Sequence, residues 1–450
     1  MQLYPHQQQA LDDTKEFTRV AYYLDMGLGK TFVGSEKLVE LAIKLGVELN
    51  ILVCQKSKVD DWMTHFESYY SNLIAIDCTI PKSMKWLNEN KFSSGQQYVL
   101  VVNYDLLFRR SYFLHLSGFT LMLDESSMIQ NDKAKRSKFV MQMQFGNVIL
   151  LSGTPTSGKY ENLWTQIRLL GWNISKALYN KQYVNWRKID LGGFVQWIVD
   201  KDDPYKNVER LKAKLRQHGA VFLKTEDCFD LPEQTIIPVT VKTTKEYRKF
   251  WKDSVVTVKG TQMVEDPAES DFWGTAYTLE DIELVGDTVL TKRLYARQLC
   301  GHFNQNKLQA FSDLVSSTQD RLIVFYNFNA ELDALKKIAV AQDRPISEVS
   351  GKTKDLSKYE NEENSITFIQ YQAGAMGLNL QKANKIIYFT LTEKSELFEQ
   401  SKKRIHRIGQ SNTCFYYLLI CENSVEEDIL QTLEMRKDYT DELFKEYNLR

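Results

Sequence analysis

The chain has 450 residues, with 57 Lys+Arg against 58 Asp+Glu and a formal net charge of −1, so it lacks the global basic footprint of a passive nucleic-acid coat. Hydrophobic residues at 43% and charged residues at 26% describe a globular protein of two or three domains. No apolar run reaches the roughly 20 residues of a membrane span, and six scattered cysteines without a Cys-x-x-Cys pair argue against a zinc site or a disulfide framework.

The first residues carry no basic or apolar leader pattern, and the reduced cysteines point the same way, so a cytoplasmic location is expected. Leu3-Tyr4-Pro5-His6-Gln7 precedes a short helical stretch, and Gln7 reads either as a polar N-terminal residue or as an amide able to pair with an adenine edge. The apolar run Val20-Ala21-Tyr22-Tyr23-Leu24 then leads into Asp25-Met26-Gly27-Leu28-Gly29-Lys30-Thr31. A helical spacing follows at Val33, Leu38, Leu41 and Leu45. Strand, glycine turn, Lys-Thr and helix is the layout of a phosphate-cradling loop. Glycines let backbone N–H groups converge on phosphate oxygens, and the helix N-terminus adds positive partial charge. Lys30 would reach the β- and γ-phosphates and the Thr31 hydroxyl would hold Mg²⁺. Leu24 stands where the full pattern has its first Gly.

Further apolar runs each end in polar residues: Cys54 in Gln55-Lys56-Ser57, Val102 in Asn103-Tyr104-Asp105, Leu123 in Asp124-Glu125-Ser126-Ser127, and Leu151 in Ser152-Gly153-Thr154-Pro155. Such runs, separated by helical segments, predict a parallel sheet covered on both faces, whose functional loops follow the strand ends. Asp124 at a strand end can hold Mg²⁺, and Glu125 can orient and deprotonate an attacking water. Residues 171–218 read as a helical, aromatic-rich insertion, and Leu231-Pro232 marks a boundary, which divides the chain into 1–228 and 229–450.

In the second half, residues 260–291 hold eight acids and no Lys or Arg, which predicts an exposed acidic insertion. Strand-like runs recur at Arg321–Tyr326, Ile366–Gln370, Lys385–Phe389 and Phe415–Ile420. Gly374–Leu380 follows the second of them, and Gln400–Gln410 precedes the last. Arg404 and Arg407, three residues apart, would share a face if helical and could clamp a developing phosphoryl charge. The tail from Val425 to Arg450 is amphipathic and is expected to pack on the second domain.

Taken in order, these motifs resemble the superfamily-two helicase-fold ATPases, and within them the Swi/Snf-like double-stranded DNA translocases of compact bacterial or phage type. Leu3–Gln7 is similar to the adenine-reading motif, Asp25–Thr31 to motif I, Ile51–Trp62 to Ia, Asn103–Asp105 to Ib, Leu123–Ser127 to II and Leu151–Trp164 to III. Phe325–Phe328 resembles motif IV, Gly374–Leu380 motif V, and Gln400–Gln410 motif VI with its His406-Arg407-Ile408-Gly409-Gln410 ending.

The resemblance implies an α/β fold of two tandem RecA-like domains with ATP bound in the interdomain cleft. It implies nucleotide binding by Gln7, Gly27, Leu28, Gly29, Lys30, Thr31, Gly377 and Gln400, catalysis by Lys30, Asp124, Glu125, Arg404 and Arg407, and Mg²⁺ on Thr31 and Asp124. Lys56, Ser57, Asn103, Tyr104, Tyr326 and Asn327 lie where relatives contact the DNA backbone. The implied function is a monomeric DNA-dependent ATPase that tracks along double-stranded DNA, in a bacterial or phage-infected cytoplasm, with replication or recombination proteins as candidate partners. A strand-separating DNA or RNA helicase and a nucleotide-gated DNA clamp are the alternatives. Motif II ends in Ser126-Ser127 where relatives commonly end in Ala-His, which leaves its coupling to motif III open.

Overall fold

Near-continuous apolar runs bounded by turn residues become parallel strands, because such strands are buried on both faces by the helices that connect them. The computed structural model describes residues 2–90, 92–190, 192–193, 195–265, 277–374 and 377–446. The chain divides into two units, Met1–Asp230 with Arg436–Arg450, and Leu231–Met435.

The first unit holds β1 (Arg19–Leu24), β2 (Leu49–Cys54), β3 (Leu73–Asp77), β4 (Gln97–Asn103), β5 (Thr120–Asp124), β6 (Asn147–Ser152), a separate hairpin of β7 (Trp186–Asp190) and β8 (Val195–Val199), and β9 (Ala220–Leu223). The sheet order is β3-β4-β2-β5-β6-β1-β9, with every pairing parallel. Ala21, Tyr23, Val53, Leu121, Leu123 and Leu150 enter the core on one sheet face, and Val20, Tyr22, Leu52, Met122 and Ile149 enter the core on the other. β1, β5 and β6 are neighbours, so the loops after their carboxyl ends share one edge of the sheet.

The second unit holds β10 (Gln234–Val241), a hairpin of β11 (Val255–Glu265) and β12 (Tyr277–Val285), then β13 (Leu322–Tyr326), β14 (Ile346–Val349), β15 (Lys354–Asp355), β16 (Ile366–Gln370), β17 (Lys385–Tyr388) and β18 (Cys414–Cys421). Its main sheet runs β10-β18-β17-β13-β16-β14-β15, parallel except for the short β14–β15 pair. These are two tandem RecA-like domains, as the sequence implied.

Two expectations need correction and a third gains detail. The segment 171–218 is not all helical: the β7–β8 hairpin lies between the helices Lys176–Tyr183 and Val208–Gln217. The acidic stretch is exposed as expected at Asp281, Glu283 and Asp287 and contributes to the antiparallel β11–β12 hairpin, with residues 266–276 outside the described residues. The tail does not pack wholly on the second domain. The helix Val425–Phe444 begins in the second unit, where Val425 N donates to Tyr247 Oη at 2.9 Å and Ile429 and Leu433 join the core. From Arg436 onward it belongs to the first unit. There Lys212 and Lys224 pair with Glu442 and Asp441 at 2.9 and 3.1 Å, and the Tyr160 hydroxyl donates to Tyr439 O at 2.6 Å. Alternation alone could not assign those last turns, because an amphipathic face does not name its partner.

Candidate active site

The loop after β1 is built by its glycines. Gly27 and Gly29 have φ of +89° and +75°, in the left-handed region that side-chain-bearing residues avoid. A Cβ on Gly29 would stand 2.1 Å from Gln7 Nε2. Gly29 is also the N-cap of the helix Lys30–Leu45, so the N-terminal N–H groups of that helix open at the loop. Lys30 Nζ donates to the Leu24 and Asp25 carbonyls at 3.0 and 3.4 Å.

Neighbouring segments brace this loop from outside. Gln7 is 4% exposed, its Nε2 donates to Leu28 O at 3.0 Å and its Oε1 accepts from Tyr4 N at 2.9 Å. One N–H and one lone pair remain for any adenine pairing. His6 Nε2 lies 3.1 Å from Leu28 O, and its ring packs with Tyr4 and Phe229. Thr225 donates its hydroxyl to Asp25 Oδ2 at 3.2 Å. Sequence reading missed Thr225 and Phe229, because two hundred residues separate them from the loop and no local motif marks them.

Motif II follows β5. Asp124 accepts a hydrogen bond from Trp62 Nε1 at 2.8 Å. Burial pushes its carboxyl above the ordinary range, while the Trp62 bond and the Lys30 and Lys58 charges pull it back. Glu125 follows with φ of +53°, a left-handed conformation costing about 1 kcal/mol or more in a non-glycine residue. Tyr104 holds this turn: its hydroxyl lies 2.9 Å from Asp124 O and 3.4 Å from Glu125 O. Thr31 and Asp124, in the segments after β1 and at the end of β5, offer hard oxygen donors that suit Mg²⁺ rather than a thiophilic metal. Elsewhere among the described residues Cys300, Cys421 and Glu426 have metal-ligand spacing, but Lys307 Nζ sits 2.6 and 2.7 Å from the two Glu426 oxygens and fills the cation's place.

Motif III follows β6 and touches motif I directly. A Cβ on Gly153 would lie 3.3 Å from Lys30 Nζ and 3.4 Å from Leu24 O. Motifs I, II and III therefore converge on one sheet edge within the first unit.

In the second unit, motifs V and VI are tied together. Leu380 N donates to Arg404 O at 3.1 Å, Arg407 Nη1 reaches Leu378 O at 3.5 Å and also bonds Asn379 Oδ1, and Gln410 Nε2 donates to Ala383 O at 2.9 Å. His406 Nε2 lies 2.9 Å from Pro232 O. Gly377 is exposed with φ of +70°, whereas Ala375 and Met376 lie outside the described residues. Gln400 is 7% exposed and donates to Glu396 Oε1 at 3.4 Å. The shared-face argument for Arg404 and Arg407 is corrected: the helix ends at Lys402, and both arginines stand in the turns beyond it, Arg404 buried and Arg407 half-buried.

The expected DNA contacts divide by burial. Lys56 and Ser57 are exposed. Asn103 is buried and caps the next helix through Leu106 N at 2.8 Å, and Tyr104 is the buried support of motif II. Tyr326 is fully buried, and its hydroxyl has no hydrogen-bond partner among the described residues. Asn327 spends its amide on Thr390 and Leu391. The side chains of Asn103, Tyr104 and Tyr326 thus lie inside the fold, and half-buried Asn327 has its amide bonded within it.

A glycine loop opening a helix, acids at the next strand ends and a second RecA-like domain define a tandem RecA-like phosphate-loop protein. The SNF2-related domain model matches residues 24–304 and the helicase conserved C-terminal domain model matches residues 306–409, so the chain belongs to the SNF2-related family. It is 23% identical to the mouse (Mus musculus) SWI/SNF-related matrix-associated actin-dependent regulator of chromatin subfamily A member 1, over 92% of this chain and 40% of that protein. It is 22% identical to an uncharacterized ATP-dependent helicase of Mycoplasma pneumoniae, over 90% of this chain and 38% of that protein. The chain thus spans about 40% of the length of these curated relatives. A Sulfolobus solfataricus SWI2/SNF2 ATPase core solved in complex with dsDNA aligns with a TM-score of 0.45 and 17% identity, covering 98% of this chain and 92% of that one.

Proposed function

We propose that the chain is an ATP-hydrolysing motor that binds and translocates along double-stranded DNA, remodelling DNA structures or displacing bound proteins. The observation that carries this reading is the meeting of Lys30, the helix opened by Gly29, Asp124, Glu125 and Gly153 at the carboxyl ends of three adjacent strands. Lys30 and the loop N–H groups hold the β- and γ-phosphates, and the negative charge that develops on the β-phosphate oxygen of the departing ADP is balanced there. Thr31 and Asp124 hold Mg²⁺, which when bound neutralises phosphate charge. Glu125 orients the attacking water and takes its proton as the new O–P bond forms and the bond to the β-phosphate oxygen breaks. Arg404 and Arg407 of the second unit are assigned to the charge developing on the transferred phosphoryl group. Exposed Lys56 and Ser57 are assigned to DNA phosphates, contacts that allow tracking without sequence choice.

The test compares ATP turnover without polymer and with duplex DNA, single-stranded DNA or RNA, alongside triplex displacement. Duplex DNA should stimulate hydrolysis and support displacement, and Lys30→Ala should abolish both. Stimulation by RNA alone would overturn the translocase reading, and an unchanged rate in Lys30→Ala would overturn the site itself.

A further inference from the structure

Gln166 is fully buried in the helix that follows motif III, and its amide is engaged on both sides. Its Oε1 accepts from the Ser126 hydroxyl at 2.8 Å and the Tyr23 hydroxyl at 3.0 Å, and its Nε2 donates to Pro155 O at 2.7 Å. Each partner adjoins a different part of the site. Tyr23 immediately precedes Leu24, whose carbonyl takes Lys30; Ser126 immediately follows Glu125; Pro155 closes the loop begun by Gly153. A carboxamide suits this place because it presents an acceptor to two hydroxyls and a donor to a carbonyl, in an interior where water cannot substitute. A carboxylate would turn an oxygen lone pair on Pro155 O, and a hydrocarbon would strand all three partners.

Neighbouring bonds reinforce the same junction. Thr165 Oγ1 donates to Ile129 O at 2.8 Å, and Gln130 joins Ser157 at 3.4 Å and Asn162 at 3.1 Å. The segments 126–130 and 155–166 are thereby tied by four hydrogen bonds, none of which uses a group that titrates near neutral pH.

We propose that Gln166 is a positioning residue that locks the strand before the phosphate loop, the turn that carries Glu125 and the motif III loop into one mechanical unit, so that displacement of motif III moves the catalytic carboxylate. The inference rests on the motor reading above.

The experiment uses the full chain and compares wild type, Gln166→Leu, Ser126→Ala, Tyr23→Phe and the Ser126→Ala/Gln166→Leu double variant. It measures binding of a fluorescent ATP analogue, kcat and KM for ATP with and without saturating duplex DNA, and thermal melting. Gln166→Leu should bind the analogue within about threefold of wild type while kcat with DNA falls on the order of 100-fold, since small misplacements of reacting groups have effects of that size. Ser126→Ala should lower kcat by less, and the double variant should be no worse than Gln166→Leu, as expected for groups that act as one. Wild-type kcat and DNA stimulation in Gln166→Leu, or losses that add in the double variant, would overturn the proposal. If Gln166→Leu does not fold, the single-hydroxyl variants decide: normal KM with reduced kcat supports the proposal and wild-type kcat in both overturns it. A wild-type protein without Lys30-dependent, DNA-stimulated hydrolysis would instead defeat the motor reading.

Discussion

The two sheets share an architecture and differ at their carboxyl edges. In the first unit, β1 runs into two left-handed glycines and a 16-residue helix, so the edge presents backbone N–H groups, a lysine and the motif II acids. In the second unit, the corresponding kind of edge is closed by its own side chains. Asn327, after β13, bonds Thr390 and Leu391, and Glu331 accepts from Asn327 N, Phe328 N and the Thr390 hydroxyl at 2.9, 3.1 and 2.9 Å. A parallel sheet supplies the edge, and the loop chemistry decides whether the edge takes a ligand or seals itself.

The contrast is most exposed to a test at Arg407, the residue by which the second unit is proposed to contribute chemistry. Arg407→Ala should reduce single-turnover hydrolysis by on the order of 10³-fold while equilibrium nucleotide binding stays within a few-fold. A normal rate would leave the second unit's motifs with structural duties alone. Glu331 tests the sealed edge. Burial raises its carboxyl from the ordinary 4.5 to about 7, against the opposing hydrogen bonds from Asn327, Phe328 and Thr390. An acid with a higher pKa folded than unfolded binds its proton more tightly in the native state, so its contribution is complete below the unfolded pKa and is lost as pH rises through the folded one. Denaturant unfolding should therefore show stability declining from about pH 5 to pH 8 by up to about 3 kcal/mol, and Glu331→Gln should flatten that decline. An unchanged slope in the variant would place the titration elsewhere.

Smaller effects sharpen the comparison. Trp62→Phe removes the donor that holds Asp124 and should raise the Mg²⁺ concentration for half-maximal hydrolysis by roughly tenfold, in keeping with about 1.5 kcal/mol for a hydrogen bond to a charged group. An unaltered Mg²⁺ titration would mean that Trp62 only packs. Tyr326→Phe deletes a buried hydroxyl that has no partner among the described residues, so unfolding free energy should change by no more than about 0.5 kcal/mol and duplex affinity should not change. A weakened DNA complex would restore Tyr326 as a polymer contact.

The fold and the first unit's site were largely legible because their signals are local. Apolar runs marked the strands, glycines before Lys30-Thr31 marked the phosphate loop, and the placement of Asp124-Glu125 at a strand end marked motif II. The burial of Asn103, Tyr104 and Tyr326 was not legible, because a polar residue at a strand end can face outward or inward, and spacing does not say which. Arg404 and Arg407 lost their helix because nothing in the charge pattern announced its end at Lys402.

By itself, then, the sequence determined most of the central strands of the two main sheets, where the glycine loop before Lys30 lies and which family of motifs the chain carries, since each depends on residues close together along the chain. Only the tertiary structure decided that Tyr104 supports Glu125, that Trp62 holds Asp124, that Thr225 clasps the phosphate loop, and that Gln166 joins three motifs. Those partners are tens to hundreds of residues apart, and a hydrogen bond between them is set by packing in three dimensions rather than by any pattern along the chain.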